Sequence, residues 1–261
     1  MTISKAFLQT LFLFLFVTLI GGSISFLSFF LKYPEYTAPI ALTISFLISY
    51  WLFYKLILKE TPKLEETEFP KIKDSHIFSM IIIVIGLKFF EQPIFDLLQQ
   101  LVIPEEFKEF LQNRKFQNKE LTISFALYAV PALVIAPIAE ELFFRNYLLK
   151  NLLQKNSVAT SIIISSICFS LVHLPNYINL IPTFLLGLIL GYVMTKTKNI
   201  SVCIAIHFLF NLTVTLLTLY GKHLYENLES LNYNPTYWLL CLSGSILVFF
   251  GLRTIAETEV Q

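Results

Sequence analysis

Apolar runs, each about as long as a bilayer is thick, recur along the chain between short polar or charged stretches. A hydrocarbon core about 30 Å thick asks for roughly 20 helical residues at about 1.5 Å each. Eight segments meet or approach that length. Ala6 to Leu31 carries no charge; it follows Lys5 as a signal peptide would, but is too long for an h-region and reads as a transmembrane helix. Tyr36 to Tyr54 is the second, ending at Trp51, Tyr54 and Lys55, residue types suited to the headgroup level. The third starts at His76; beyond Leu87 it carries Lys88, Gln92, Asp96 and Gln99 at nearly four-residue spacing, a polar stripe that faces the bundle or water. The fourth runs from Leu121 to about Lys150, and Val158 to Leu174, Tyr177 to Thr195, Ile200 to Tyr220 and Pro235 to Leu252 complete the set. A charged linker up to Ser75, a loop from Pro104 to Glu120, Pro175, and the Lys196 to Asn199 and Gly221 to Asn234 stretches are the breaks. The pattern predicts an all-α fold, a polytopic transmembrane bundle of about eight helices, with residues 1–261 forming a single membrane domain.

Composition narrows the classes further. With 56% hydrophobic and only 14% charged residues among 261, and a mean hydropathy of +0.69, the chain lacks the polar groups to cover a water-soluble globule. Nineteen Lys and Arg against eighteen Asp and Glu leave a net charge of +1, so no basic surface is available for nucleic acid. Cys168, Cys203 and Cys241 sit in apolar runs without CxxC spacing, which implies neither a disulfide frame nor a thiolate metal site. Basic residues set orientation. With the N-terminus inside, the inner side collects Lys5, five lysines from Lys55 to Lys73, Arg145, Lys150, Lys155, Lys196, Lys198 and Arg253, twice the outer set of Lys32, Lys108, Arg114, Lys115, Lys119 and Lys222. Both termini are therefore expected in the cytoplasm.

Charge at bilayer depth costs several kcal/mol and is retained mainly where it pairs, faces a cavity or does chemistry. Three places carry such residues. In the fourth span, Glu141 and Arg145 are four apart on one face in the favoured acid-before-base order, which leaves Glu140 as the carboxylate free to meet water and act as general base. Pro137, three residues earlier, removes a backbone donor and is expected to kink the helix and open room. In the fifth span, Phe169 lies one turn before His173; in the seventh, His207 and Asn211 are four apart. Each place alone has a bland reading: a structural charge cluster, an interfacial histidine, an interhelical hydrogen bond. Together a carboxylate, two imidazoles and an amide on three spans supply a base, two donors or metal ligands, and an oxyanion stabiliser, the set that peptide hydrolysis needs. At about 1.5 Å per residue, Glu140 and His207 both fall roughly 15 Å above the inner ends of their helices, whereas His173 needs tilt or a shorter climb.

At these residues the sequence resembles the CPBP family, the CAAX proteases and bacteriocin-processing enzymes also called the Abi family. The signature EExxxR, FxxxH and HxxxN on successive helices is matched by Glu140, Glu141 and Arg145, by Phe169 and His173, and by His207 and Asn211, within a core at about residues 121–220. The resemblance implies an intramembrane endopeptidase in which Glu140 is general base, His173 assists it, His207 and Asn211 stabilise the oxyanion, and Glu141 and Arg145 hold the geometry. No cofactor is required on that reading. Glu140, His173 and His207 would nonetheless satisfy a catalytic zinc with one open position, although no HExxH helix is present. The implied partners are the bilayer and a peptide or membrane-protein substrate, either prenylated or a bacteriocin-like precursor.

Other readings compete. Cys203, His207 and Asn211 at i, i+4 and i+8 could form a thiol site, but residues stacked on one helix seldom converge on one reacting atom. Gly187 and Gly191 form GxxxG, suited to close helix packing. A non-catalytic membrane immunity factor or a transporter is the alternative class; a transporter would be expected to repeat the Glu140 region in a second half, and none is seen.

Overall fold

A computed structural model describes residues 1–28, 30, 31, 33–59, 69–102 and 120–258. Residues 60–68 of the predicted charged linker and all of the Pro104 to Glu120 loop but Glu120 lie outside the described residues. Nine helices are present among those described: α1 (Ile3–Ser28), α2 (Pro34–Phe53, running on as a π turn Tyr54–Leu58), α3 (Asp74–Val102), α4 (Ile123–Leu153), α5 (Val158–Leu171), α6 (Leu180–Thr197), α7 (Ile200–Tyr220), α8 (Lys222–Ser230) and α9 (Pro235–Glu257). Seven of them, all but α5 and α8, are long and apolar enough to cross a membrane. The fold is an all-α polytopic bundle.

Polar residues in the connections start the helices. Thr122, Ser157, Asn199 and Asn234 each accept a backbone N–H of the first turn with a side-chain oxygen, and Pro235 occupies the first position of α9, where no N–H is needed. Two boundaries differ from the sequence pattern. α5 has 14 residues and stops at Leu171, and the His173 N–H bonds the Ser170 carbonyl in a tighter turn; Pro175 just beyond disfavours helix in the residue before it. Val172 to Leu174, although apolar, are therefore outside the helix. The stretch expected as a break after Tyr220 contains α8, whose Leu228 is buried against the bundle; nine residues with a polar face are too few to span.

α4 occupies the centre. Phe143 meets Phe53 of α2 edge to face at 5.2 Å, Phe144 meets Phe169 of α5 at 5.2 Å, and the Tyr147 hydroxyl accepts from Gln9 of α1 at 3.0 Å. Around it, glycines set close helix pairs. A Cβ on Gly86 would lie 2.6 Å from the Gly244 carbonyl oxygen, joining α3 and α9; Gly187 and Gly191 let α6 approach Ser166 and Ile162 of α5. Outward faces carry Leu8, Leu11, Leu15 and Leu19 on α1 and Leu239, Leu242, Ile246 and Phe249 on α9, as lipid contact requires.

Of the stripe on α3, Lys88, Gln92 and Asp96 turn into the bundle, and the Gln99 side chain lies outside the described residues. Lys88 pairs with Glu91 and holds its ammonium 3.7 Å from the Phe210 ring centroid, Gln92 donates to Asp96 at 2.9 Å, and the Tyr237 hydroxyl of α9 donates to Asp96 at 2.9 Å. It serves α7 and α9 rather than the membrane interface, since a charge buried among helices keeps its partners only there.

Candidate active site

The glutamates of α4 lie at a change of helical register. The helix is π from Pro131 to Ile135, α from Ala136 to Glu141, and π again from Leu142 to Leu149, a feature that recurs at functional sites. Pro137 lies buried inside this continuous helix, so its effect is on register rather than a break. Arg145 and Glu141 are both fully buried, and Arg145 Nη1 donates to Glu141 Oε1 at 3.0 Å, the pair the four-residue spacing predicts. Arg145 Nη2 donates to the Gly187 carbonyl of α6 at 3.3 Å.

Glu141 Oε1 accepts a second hydrogen bond, from His207 Nδ1 of α7 at 2.8 Å. A carboxylate oxygen can only accept, so the neutral ring carries its proton on Nδ1 and keeps a lone pair on Nε2. That Nε2 stands 3.9 Å from Glu140 Oε2. Glu140 is 8% exposed, and its Oε2 is buried without a hydrogen-bond partner. The two carboxylates thus face opposite nitrogens of one imidazole.

Phe169 is where the motifs meet. Its ring packs edge to face with His173 at 5.0 Å and His207 at 5.6 Å, and the Arg145 guanidinium lies over it, Cζ 4.3 Å from the centroid. His173 sits half-buried just past the end of α5, with Nδ1 donating to the Phe169 carbonyl at 2.9 Å. Asn211, one turn along α7 from His207, donates Nδ2 to the Ala132 carbonyl of α4 at 2.8 Å. The structure therefore gathers Glu140, Glu141, Arg145, Phe169 and His207 into one contact set, attaches His173 to it through Phe169, and turns Asn211 to the α4 backbone. Cys203 is buried, with Sγ directed at the Leu190 carbonyl, 3.6 Å away.

Among the described residues, no three His, Cys, Asp or Glu side chains form a set able to hold a metal ion. His173, the third ligand a zinc would need, does not join Glu140 and His207 in such a group. An apolar groove of about 410 Å³ runs between α4 and α7, lined by Leu133, Val134, Ile138, Ile204, Ala205 and Phe208 with Phe69, Ile72 and Ser201. The backbone acceptors at Gly187 and Ala132 and the ring of Phe144 were not legible as site members. Gly187 signals close approach through its GxxxG spacing, but nothing in the sequence says that its carbonyl meets an arginine.

Buried carboxylates and imidazoles convergent inside a multi-pass bundle are the makings of an enzyme that works within the membrane. Residues 122–213, which hold all three motifs, match the family model described as type II CAAX prenyl endopeptidase, Rce1-like. That match, confined to residues 122–213, supports the resemblance to the CPBP intramembrane proteases. No curated protein and no solved structure matches it.

Proposed function

We propose that this peptidase hydrolyses its substrate with a water held between Glu140 and His207, without a metal. The observation that supports this most directly is the 3.9 Å separation of Glu140 Oε2 and His207 Nε2, too long for a direct hydrogen bond and right for one water that donates to both. Such a water has both hydrogens engaged and its lone pairs free. Glu140 takes one proton as the oxygen attacks the carbonyl carbon, and the amide hydrogen of Asn211 not used on Ala132 stabilises the oxyanion. Collapse breaks the C–N bond, and Glu140 returns the proton to the leaving amine, giving a carboxylic acid and an amine. His173, its Nδ1 fixed on the Phe169 carbonyl, assists through Nε2. Glu141 and Arg145 hold the His207 tautomer. This assignment puts His207 on the water, where the resemblance alone would put it with Asn211 on the oxyanion. The apolar groove between α4 and α7 is lined by Ile138 and Phe208 and suits a substrate that arrives from within the bilayer.

Cleavage of a fluorogenic peptide panel, prenylated and plain, by purified wild type and Glu140→Gln tests the reading. The variant is expected to lose at least about 10³-fold in kcat through the missing base, and a chelator is expected to change nothing. Retained cleavage by Glu140→Gln rejects the base; loss with chelator that added zinc restores rejects the metal-free step.

A further inference from the structure

The hydrogen bond from Asn211 to Ala132 has a cause in the register of α4. In the π stretch Pro131–Ile135, bonds run five residues back, and the Ala136 N–H takes the Pro131 carbonyl. The next donor in that register would be residue 137, reaching back to Ala132. Residue 137 is proline and has no N–H. The Ala132 carbonyl is thereby left without its helical donor, and a carbonyl unpaired in a membrane bundle must find another. Asn211 Nδ2 supplies it at 2.8 Å.

We propose that Pro137 is a positioning residue: by withholding its N–H it makes the Ala132 carbonyl the docking point of the Asn211 amide, tying α7 to α4 and aiming the second amide hydrogen at the reaction centre. An amide nitrogen bonded to a carbonyl is planar and carries two hydrogens about 120° apart, so fixing one fixes the other. The catalytic half of the statement rests on the oxyanion role proposed for Asn211. The clamp itself does not.

A double-mutant cycle on the full chain in detergent separates the two halves. The four proteins are wild type, Pro137→Ala, Asn211→Ala and the pair, read by thermal unfolding and by kcat and KM on a cleaved peptide. In thermal unfolding, Asn211→Ala is expected to lower the midpoint by about 2–4 °C in the wild-type background, where it strands a carbonyl. In the Pro137→Ala background, where a restored N–H can reach Ala132, little change is expected. In kinetics, Pro137→Ala is expected to lower kcat roughly tenfold with KM unchanged, and to have no further effect once Asn211 is alanine. Equal, additive shifts in unfolding would overturn the clamp. Coupled unfolding together with full turnover by Asn211→Ala would uphold the clamp and overturn the oxyanion role. A Pro137→Ala protein too unstable to purify would itself contradict a device in which the alanine restores a bond; Pro137→Gly, which also restores the N–H, would repeat the test.

Discussion

Glu140 and Glu141 follow one another on α4 yet have different partners. Glu141 has Arg145 and His207 on a single oxygen, both at hydrogen-bond distance, whereas Glu140 Oε2 has none. Removing a group from each side of this pair should therefore have opposite consequences. Arg145→Lys keeps the charge but loses the fork that reaches both Glu141 and the Gly187 carbonyl. The variant is expected to lose about 3 kcal/mol of stability, because it disrupts a fully buried pair. Glu140→Gln removes a buried carboxylate whose Oε2 has no hydrogen-bond partner and is expected to unfold at the wild-type temperature or above while losing its activity. Thermal unfolding in detergent, beside the peptide assay, distinguishes a structural from a chemical carboxylate. At this scale, what was legible in the sequence was what lies on one helix. The Glu141 and Arg145 pairing follows from i, i+4 spacing alone. The Glu141 to His207 contact joins residues 66 apart in the chain, and no local periodicity carries information about it.

The length ruler locates every long helix because a bilayer imposes one length on all of them, whatever their packing. It fails where the helix is short for another reason: α5 ends before Pro175, and α8 lies in a stretch polar enough to read as a break. It also says nothing about register, so the π stretches of α4 and the glycine contacts had to come from the structure. Those contacts can be ranked. Gly86 and Gly244 bring two backbones together, a Cβ on either lying within about 2.6 Å of the other's carbonyl, whereas a Cβ on Gly22 of α1 would meet nothing within 4 Å. Gly86→Leu is thus expected to cost about 1–3 kcal/mol or more by overpacking. Gly22→Leu is expected to be neutral or to stabilise by about 0.5–1 kcal/mol, since glycine is a poor helix former. Unfolding midpoints of the two variants check the contrast; equal losses would mean that α3 and α9 can separate without harm.

On the scale of the whole molecule, Met1 and Thr258, the first and last described residues, lie at one end of the bundle. Asn156 donates to the Met1 carbonyl at 3.2 Å, Lys73 to the Thr258 carbonyl at 2.9 Å, and Asn199 to the Lys71 carbonyl at 3.2 Å, so these two residues, the start of α3 and the turns before α5 and α7 share that end. We propose that it faces the cytoplasm, on the distribution of Lys and Arg. All three native cysteines are buried, so a membrane-impermeant maleimide can report on single added ones. In intact cells His223→Cys is expected to label and Ser4→Cys to label only after permeabilisation; the reverse pattern would invert the topology. The far end holds the feature with the widest consequence. Fourteen residues of α5 rise only about 21 Å, some 9 Å short of a hydrocarbon core about 30 Å thick. The segment beyond, with exposed Pro175, Asn176 and Tyr177, must be met either by lipid that thins toward it or by water that descends to it. A hydrolase consumes one water per bond, and a membrane interior holds almost none. If water is what fills that gap, a helix that stops early lowers the water table to His173, and on the reading proposed above the missing turns of α5 would keep a reaction inside oil supplied.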